Sequence, residues 1–206
     1  KAFTQMALTG RLLSHALSPD YGDTDKEKIL VDKFSLLAER VDDVLHRVDV
    51  IKKIAEEIYN KKGYFFTGRG QYYPVALEGA LKLKEIAYVH AEGYAAGELK
   101  HGPIALVDDG VPVVAIAPSD NLFLKTASNL EEVAARGAKI ILISDKEGIK
   151  RLKNICSHTI EVSSTSSFAH PILYTIPVQL LAYYTAVLKG TDVDQPRNLA
   201  KSVTVE

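Results

Sequence analysis

The chain has 206 residues, of which 47% are hydrophobic and 25% charged, a composition typical of a globular protein. The 25 basic and 26 acidic residues nearly balance, and no marked Lys/Arg cluster indicates a nucleic-acid surface. The single cysteine, Cys156, excludes an internal disulfide, and no apolar run approaches the roughly 20 residues that span a bilayer. We therefore expect a cytoplasmic chain without a membrane segment. Because it begins at Lys1, without a signal-peptide pattern, we expect a piece of a longer polypeptide.

The first 60 residues carry only helical patterns. A helix is predicted from residue 1 to residue 17, and a loop cluster follows at residues 18–23. Apolar residues then recur at helical spacing through two further helices, which are expected to end near Asn60. This part of the chain is therefore predicted to be an all-helical extension.

From residue 62 onward, short apolar runs alternate with helical stretches. The runs at residues 64–67, 111–117, 139–144 and 158–162 predict strands, and a further short strand is possible around residues 89–94. Helices are predicted between them at residues 74–88, 121–136, 146–154 and 171–189. Since the runs are continuously hydrophobic, both faces of the sheet should be covered. The sequence therefore predicts an α/β fold, a three-layer αβα sandwich with a parallel sheet.

The loop Gly68-Arg69-Gly70 follows the first predicted strand, where ligands gather in open parallel sheets. Its glycines would let the backbone approach an anion, and a helix begins just beyond them. A third glycine and a suitably placed acid are missing, so the dinucleotide signal is weak. A tight strand-to-helix turn explains the pattern equally well, and both interpretations stay open.

Three charged residues, Glu78, Lys82 and Glu85, follow at steps of four and three, so they share one face of the predicted helix. Such a row is usually a solvated face with modest ion pairs. Alternatively the face lines a cleft, where a lysine one turn before a glutamate places a cation and a base beside one small substrate. Proton abstraction next to a carbonyl requires that pair.

His101 is placed at the end of an element, because Gly102-Pro103 breaks any helix after it. A histidine in that position is available for acid–base work near neutral pH. The chain's six histidines show no metal-ligand spacing, so we expect no zinc site. Cys156 has no evident activating partner and is interpreted as a buried structural thiol.

The closing segment from residue 192 to residue 206 shows neither helical nor strand periodicity. Pro196 forbids a regular helix there, and composition alone favours a disordered tail. The alternative is an extended arm that specific polar contacts tie down and that carries Lys201 into a pocket.

Five motifs together resemble one family, the glucosamine-6-phosphate synthases, which are isomerising glutamine:fructose-6-phosphate aminotransferases. The motifs are Gly68-Arg-Gly70, Ala76-Leu-Glu-Gly-Ala-Leu-Lys-Leu-Lys-Glu-Ile86, His90-Ala-Glu92, Ala95-Ala-Gly-Glu-Leu-Lys-His-Gly-Pro103 and the segment 192–206. The family joins a glutaminase domain to two sugar isomerase (SIS) domains. The resemblance therefore implies three parts: residues 1–60 as the end of the first SIS domain plus linker helices, residues 61–190 as the second SIS domain with a flavodoxin-like sheet, and residues 191–206 as an active-site tail.

The resemblance also implies a reaction and its residues. The family makes glucosamine 6-phosphate from fructose 6-phosphate and glutamine-derived ammonia, moving a proton from C1 to C2 of the sugar. By resemblance, Glu85 transfers this proton and Lys82 steadies charge on the sugar oxygens. His101 opens the sugar ring in the neighbouring subunit's site, and Lys201 forms a Schiff base with the C2 carbonyl. We also expect substrate contacts from Arg69, Glu78 and Ala200.

Two departures limit what this chain should do alone. Where the family's first SIS domain holds the sugar phosphate with a serine-rich loop, residues 117–121 place Asp120, whose charge would oppose a phosphate. The family's glutaminase uses an amino-terminal cysteine, and Cys156 is internal. We expect a homodimer, completed by a first SIS domain and a glutaminase domain, with no cofactor, nucleic acid or membrane partner. The alternatives are a non-catalytic phosphosugar-binding module and a purely structural dimerisation domain.

Overall fold

A computed structural model describes residues 2–163 and 168–197. The amino-terminal part is helical, as predicted, but it holds four helices rather than three: α1 (Ala2–Ala16), α2 (Thr24–Ser35), α3 (Leu37–Leu45) and α4 (Val48–Ile58). The prediction of two helices after the loop was wrong because α2 and α3 are separated by a single residue, Leu36. Leu36 keeps helical backbone angles, so the apolar periodicity passes through the break without a turn signal.

The sheet has five parallel strands in the order β2-β1-β3-β4-β5, which is the flavodoxin-like order. The strands are β1 (Gly63–Gly68), β2 (His90–Ala95), β3 (Pro112–Ile116), β4 (Lys139–Ser144) and β5 (His158–Glu161). The uncertain strand near residue 90 is real, and it pairs with β1 along its whole length as an edge strand. The predicted fold class is therefore confirmed.

Helices cover both faces of this sheet, because side chains of the central strands alternate between one apolar cluster on one face and two on the other. The carboxy-terminal helices are α5 (Tyr73–Ala87), α6 (Phe123–Ala134), α7 (Lys146–Leu152) and α8 (His170–Leu188). Phe66 and Val114 pack in the cluster that includes α4, α5 and α8. Their neighbours Phe65 and Val113 pack on the opposite face, toward the 3-10 turn at Leu99 and helix α6. A three-layer sandwich results.

Helix α8 meets the length and composition of a membrane-crossing segment, contrary to the sequence expectation that no apolar run approaches this length. However, 56% of the apolar window is buried inside the protein. Leu173, Val178 and Leu181 of α8 are almost completely buried in the cluster shared with α5. The hydrophobicity of α8 is explained by its place in the core.

Helix α5 runs from the carboxyl ends of the strands back to their amino ends. It begins at Tyr73, shortly after β1 ends at Gly68, and it ends at Ala87, shortly before β2 begins at His90. Tyr88 has a left-handed backbone (φ 53°), which ends the helix and redirects the chain into β2. The first turn of α5 therefore lies beside the strand-end loops, while Glu85 lies near the opposite edge.

Candidate active site

The charged residues of α5 form a connected cluster. The Lys82 Nζ donates a hydrogen bond to Glu85 Oε2 at 2.7 Å, and it lies 3.9 Å from Glu78 Oε1. The side chain of Glu78 is only 10% exposed, against 32% for Lys82 and 25% for Glu85. Glu78 is thus nearly buried, whereas Lys82 and Glu85 are partly exposed, and the cleft interpretation stays a prediction. A cation and a carboxylate stand in direct contact on one side of the helix.

Glu78 is anchored by a residue from another helix. Gln179 of α8 donates a hydrogen bond from Nε2 to Glu78 Oε1 at 3.1 Å. A carboxylate at this level of burial needs such donors, because desolvation of an unpartnered charge is costly. Gln179 thus holds Glu78, and Glu78 with Glu85 brackets the Lys82 ammonium. Sequence reasoning missed Gln179, although an amide within the apolar stretch 176–182 is a signal that could have identified it.

The beginning of the tail is fastened to the same end of α5. The Thr191 hydroxyl donates to the Ile86 carbonyl at 2.6 Å. The Arg197 backbone N–H donates to the Tyr88 hydroxyl at 2.7 Å, and the Arg197 guanidinium lies 4.2 Å from the centre of the Tyr88 ring. Up to Arg197, the segment is thus the tied-down arm that was the alternative to disorder. Ala200 and Lys201 lie outside the described residues.

The structure does not bring every predicted residue into this cluster. His101 is exposed and ends a 3-10 turn, Leu99–His101, that packs on the sheet face opposite α5. Arg69 follows β1 at the carboxyl edge, where its Nη2 donates to Asn129 Oδ1 of α6 at 2.7 Å. Of the predicted site residues within the described ranges, only Glu78, Lys82 and Glu85 share one surface.

The glycines around Arg69 serve the turn itself. A Cβ on Gly68 would lie 2.4 Å from the Tyr72 carbonyl oxygen, and Gly70 has a positive φ of 58°. Both positions therefore need glycine for steric reasons. This favours the tight strand-to-helix turn over a phosphate-cradling loop.

The loop at residues 117–121 is closed by its own hydrogen bonds. Asp120 Oδ1 accepts from the Leu122 N–H, and Asp145 Oδ2 accepts from both the N–H and the hydroxyl of Ser119, each at 2.8 Å. Burial would raise the pKa of Asp145, but hydrogen bonds from Gly148 and Ser119 outweigh it and lower the pKa. These donors are committed to aspartates, so the geometry agrees with the expectation that this loop holds no sugar phosphate.

Cys156 is half-buried, and burial raises the pKa of its thiol to about 11. A thiol that stays protonated is a poor nucleophile, in agreement with a structural role. Within the described ranges, His, Cys, Asp and Glu side chains form no group that could hold a metal ion.

Residues 57–189, more than half of the chain, match the family model described as SIS domain. The chain belongs to the SIS domain family. Over its whole length, this SIS chain is 51% identical to the "Glutamine--fructose-6-phosphate aminotransferase [isomerizing]" of Bartonella henselae. The matched region makes up 34% of that relative. The chain thus spans about a third of the length of the curated relatives it matches.

Solved structures agree with this assignment. The SIS chain is similar to the C-terminal domain of glucosamine-fructose-6-phosphate aminotransferase from Francisella tularensis, with a TM-score of 0.75 and 48% identity over 80% of this chain and 46% of that one. It is also similar to a glucosamine-6-phosphate deaminase from Thermotoga maritima, with a TM-score of 0.65 and 26% identity over 84% of this chain and 49% of that one. The resemblance stated from the motifs therefore holds over the whole chain.

Proposed function

We propose that this chain is the carboxy-terminal isomerase part of an isomerising glutamine–fructose-6-phosphate aminotransferase. In this proposal, Lys201 condenses with the C2 carbonyl of fructose 6-phosphate and releases water. Ammonia then displaces the lysine amine and leaves a C2 imine. Glu85 takes a proton from C1 and returns it at C2, which produces the amino-aldose glucosamine 6-phosphate.

The observation that carries the proposal is the contact between Lys82 and Glu85. A carboxylate can move a proton between adjacent carbons, and an ammonium 2.7 Å away stabilises the negative charge that develops on the sugar oxygens during that transfer. On the other side, Glu78 lies 3.9 Å from the ammonium and is itself held by the hydrogen bond from Gln179. Glu78 is proposed to contact substrate as well, since it belongs to the same cluster.

The position of the tail supports a role for Lys201. Arg197 is fastened at Tyr88, one turn beyond Glu85, and Lys201 follows four residues later. Lys201 itself lies outside the described residues, and its Schiff-base role is proposed from the family resemblance. Ala200 is proposed as a substrate contact on the same ground. The alternative of a non-catalytic binding module gives no use for this lysine.

His101 is proposed to act in the site of a neighbouring subunit. It is exposed, and Leu99 of the same 3-10 turn packs on the sheet face that does not carry α5, so a second copy is the simplest way to bring an imidazole to Glu85. We therefore propose that the chain works as a homodimer. Arg69, which follows β1 at the carboxyl ends of the strands, is also proposed to contact the substrate.

The remaining domains of the relatives would complete the site. The exposed apolar side chains of α1 and α2 support a covering domain on this side, since α1 buries none of its residues. An apolar groove of about 540 Å³ lies there, lined by Leu8, Leu12, Phe34, Leu37, Ala38 and Val41. We propose that a first SIS domain covers the groove and supplies the phosphate-binding loop, that a glutaminase domain supplies ammonia, and that the enzyme is cytoplasmic and needs no cofactor.

The test uses the full-length enzyme with Glu85→Gln or Lys201→Ala. Loss of the general base lowers the rate by about 10²–10⁴-fold, and loss of the Schiff-base lysine should abolish glucosamine 6-phosphate formation. Glutamine hydrolysis should remain largely intact, because another domain performs it. Both reactions are measured on the same preparation.

Glu131→Gln is the matched control for Glu85→Gln, since it makes the same change at an exposed position of helix α6 and should leave isomerisation unchanged. Near-normal product formation by either Glu85→Gln or Lys201→Ala would contradict the catalytic assignment.

A further inference from the structure

Helix α5 carries a buried glycine, Gly79, in its interior. Glycine is less favourable than alanine inside a helix, so a glycine at such a position indicates a steric requirement. A Cβ on Gly79 would lie 2.7 and 2.8 Å from two ring carbons of Phe66 and 3.0 Å from the Cβ of Val178. Carbon atoms in ordinary contact are about 3.5–4.0 Å apart. Any larger side chain at this position therefore requires movement of the surrounding structure.

The two neighbours of Gly79 are fixed in the core. Phe66 lies on β1 and Val178 on α8, and both side chains are completely buried in the same apolar cluster. Because protein interiors are close-packed, they transmit such strain instead of absorbing it. A methyl group on Gly79 would therefore displace α5 from β1 and α8 by on the order of 1 Å.

This close contact lies beside the hydrogen bond that holds Glu78. Gly79 directly follows Glu78 on α5, and Val178 directly precedes Gln179 on α8. The Gln179 Nε2 reaches Glu78 Oε1 at 3.1 Å, near the upper end of the usual range for such bonds. Moving the two helices apart by on the order of 1 Å would break this hydrogen bond. The amide spans the gap because the helices approach closely at Gly79.

We propose that Gly79 is a positioning residue for the Glu78–Lys82–Glu85 cluster, because its missing side chain sets the separation of α5 and α8 at which Gln179 holds Glu78. This inference rests on the proposed isomerase function of the cluster. The Lys82 Nζ lies 3.9 Å from Glu78 Oε1, so displacement of Glu78 removes one of the two carboxylates that flank the ammonium. Misplacement of such groups by on the order of 1 Å costs up to about 100-fold in rate.

The first test is Gly79→Ala in the full-length enzyme. Alanine raises the helix propensity of α5, so local propensity alone predicts no harm. We expect the kcat for isomerisation to fall by about tenfold or more, with glutamine hydrolysis unchanged. Gly10→Ala is the matched control, since it makes the same change inside α1, where no atom of the described residues lies within 4 Å of the added Cβ. It should keep the wild-type kcat.

A second substitution separates positioning from a general loss of stability. Phe66→Val lacks both ring carbons that the new methyl group would meet. The double variant Gly79→Ala/Phe66→Val should therefore have a kcat at least about threefold above that of Gly79→Ala alone. Phe66→Val removes core volume and is destabilising by itself, so a loss of activity caused only by instability would be larger in the double variant.

The hydrogen bond itself is observed through the side-chain amide signals of Gln179 in NMR spectra of the chain, assigned by their absence in Gln179→Met. In Gly79→Ala these signals should move to the positions of a solvent-exposed glutamine, and in Gly10→Ala they should stay in place. Unmoved signals or a wild-type kcat in Gly79→Ala would each overturn the proposal, as would a double variant without recovery. Near-normal isomerisation by Glu85→Gln would instead contradict the proposed function, and the Gln179 signals would still test the role of Gly79.

Discussion

Replacing Gln179 by methionine tests how the α5 cluster is held together. Methionine keeps the length of the side chain but removes the amide that donates to Glu78 Oε1 at 3.1 Å. Glu78 is 10% exposed, so its carboxylate would lose a donor that water replaces only in part. A hydrogen bond to a charged group contributes about 1.5–3 kcal/mol, and we expect Gln179→Met to lower the free energy of unfolding by about that amount.

The functional consequence follows from the position of Lys82. Without Gln179, Glu78 is free to turn toward solvent, and the Lys82 ammonium loses one of its two flanking carboxylates. We expect the kcat for isomerisation in the full-length enzyme to fall by about tenfold, with glutamine hydrolysis unchanged, because a misplaced charge stabilises the transition state less well. Urea unfolding of the chain and the two activity assays measure these effects separately.

A second substitution at the same position, Gln179→Glu, tests how the stability of the folded state depends on pH. Gln179→Glu would place two carboxyl groups at hydrogen-bond distance, which raises the pKa of the pair in the folded state. This variant should therefore be closest to wild-type stability in acid and lose stability as the pH rises above about 4, where the unfolded carboxyls ionise. For Gln179→Met, two results together would refute the reasoning: a free energy of unfolding within about 0.5 kcal/mol of wild type, and an isomerase kcat within about twofold of wild type.

Two further predictions concern the tail and the loop beside α7. Tyr88→Phe removes the acceptor of the Arg197 N–H but keeps the ring beneath its guanidinium, at a cost of about 1 kcal/mol. Amide hydrogen exchange at residues 192–197 should become faster and isomerase kcat should fall, and unchanged exchange would contradict the anchor. Asp145 accepts the Gly148 N–H at the start of α7, so Asp145→Ala should cost about 0.5–2 kcal/mol at pH 7. The pKa of Asp145 is lowered on folding, so its stabilisation is present above the unfolded pKa and is lost as the pH falls. Wild type and Asp145→Ala should therefore converge between about pH 5 and pH 2 in urea unfolding, and a difference that persists in acid would contradict this account.

An element could be predicted where residues within it carry a clear signal, and it was missed where they do not. The runs that became β3 and β4 were evident because both faces of a central parallel strand are buried, which requires continuous apolar residues. Strand β2 was only a possibility because it lies at the edge, where His90 and Glu92 interrupt the pattern. The break at Leu36 was missed because it changes no periodicity.

Contacts between distant residues were beyond the sequence pattern. The spacing of Glu78, Lys82 and Glu85 follows from helix geometry, but Gln179 reaches Glu78 across about 100 residues of sequence only because α8 packs on α5. The pairing of Arg69 with Asn129 likewise depends on β1 and α6 meeting at one edge. The amide of Gln179 within the apolar stretch 176–182 marks that residue as unusual, but no local signal gives the partner in either contact.

By itself, the sequence determined the α/β class, the parallel sheet, the charged face of α5 and, through its motifs, the family. These features depend on local propensity, on the period of the apolar pattern and on short sequence motifs, all of which are present in the amino-acid sequence itself. Only the tertiary structure decided that Glu78 of the charged face is nearly buried, that the start of the tail is fastened at Tyr88, and that the turn ending at His101 lies across the sheet from α5. Burial and proximity arise from packing between segments far apart in the chain, and local composition contains no record of them.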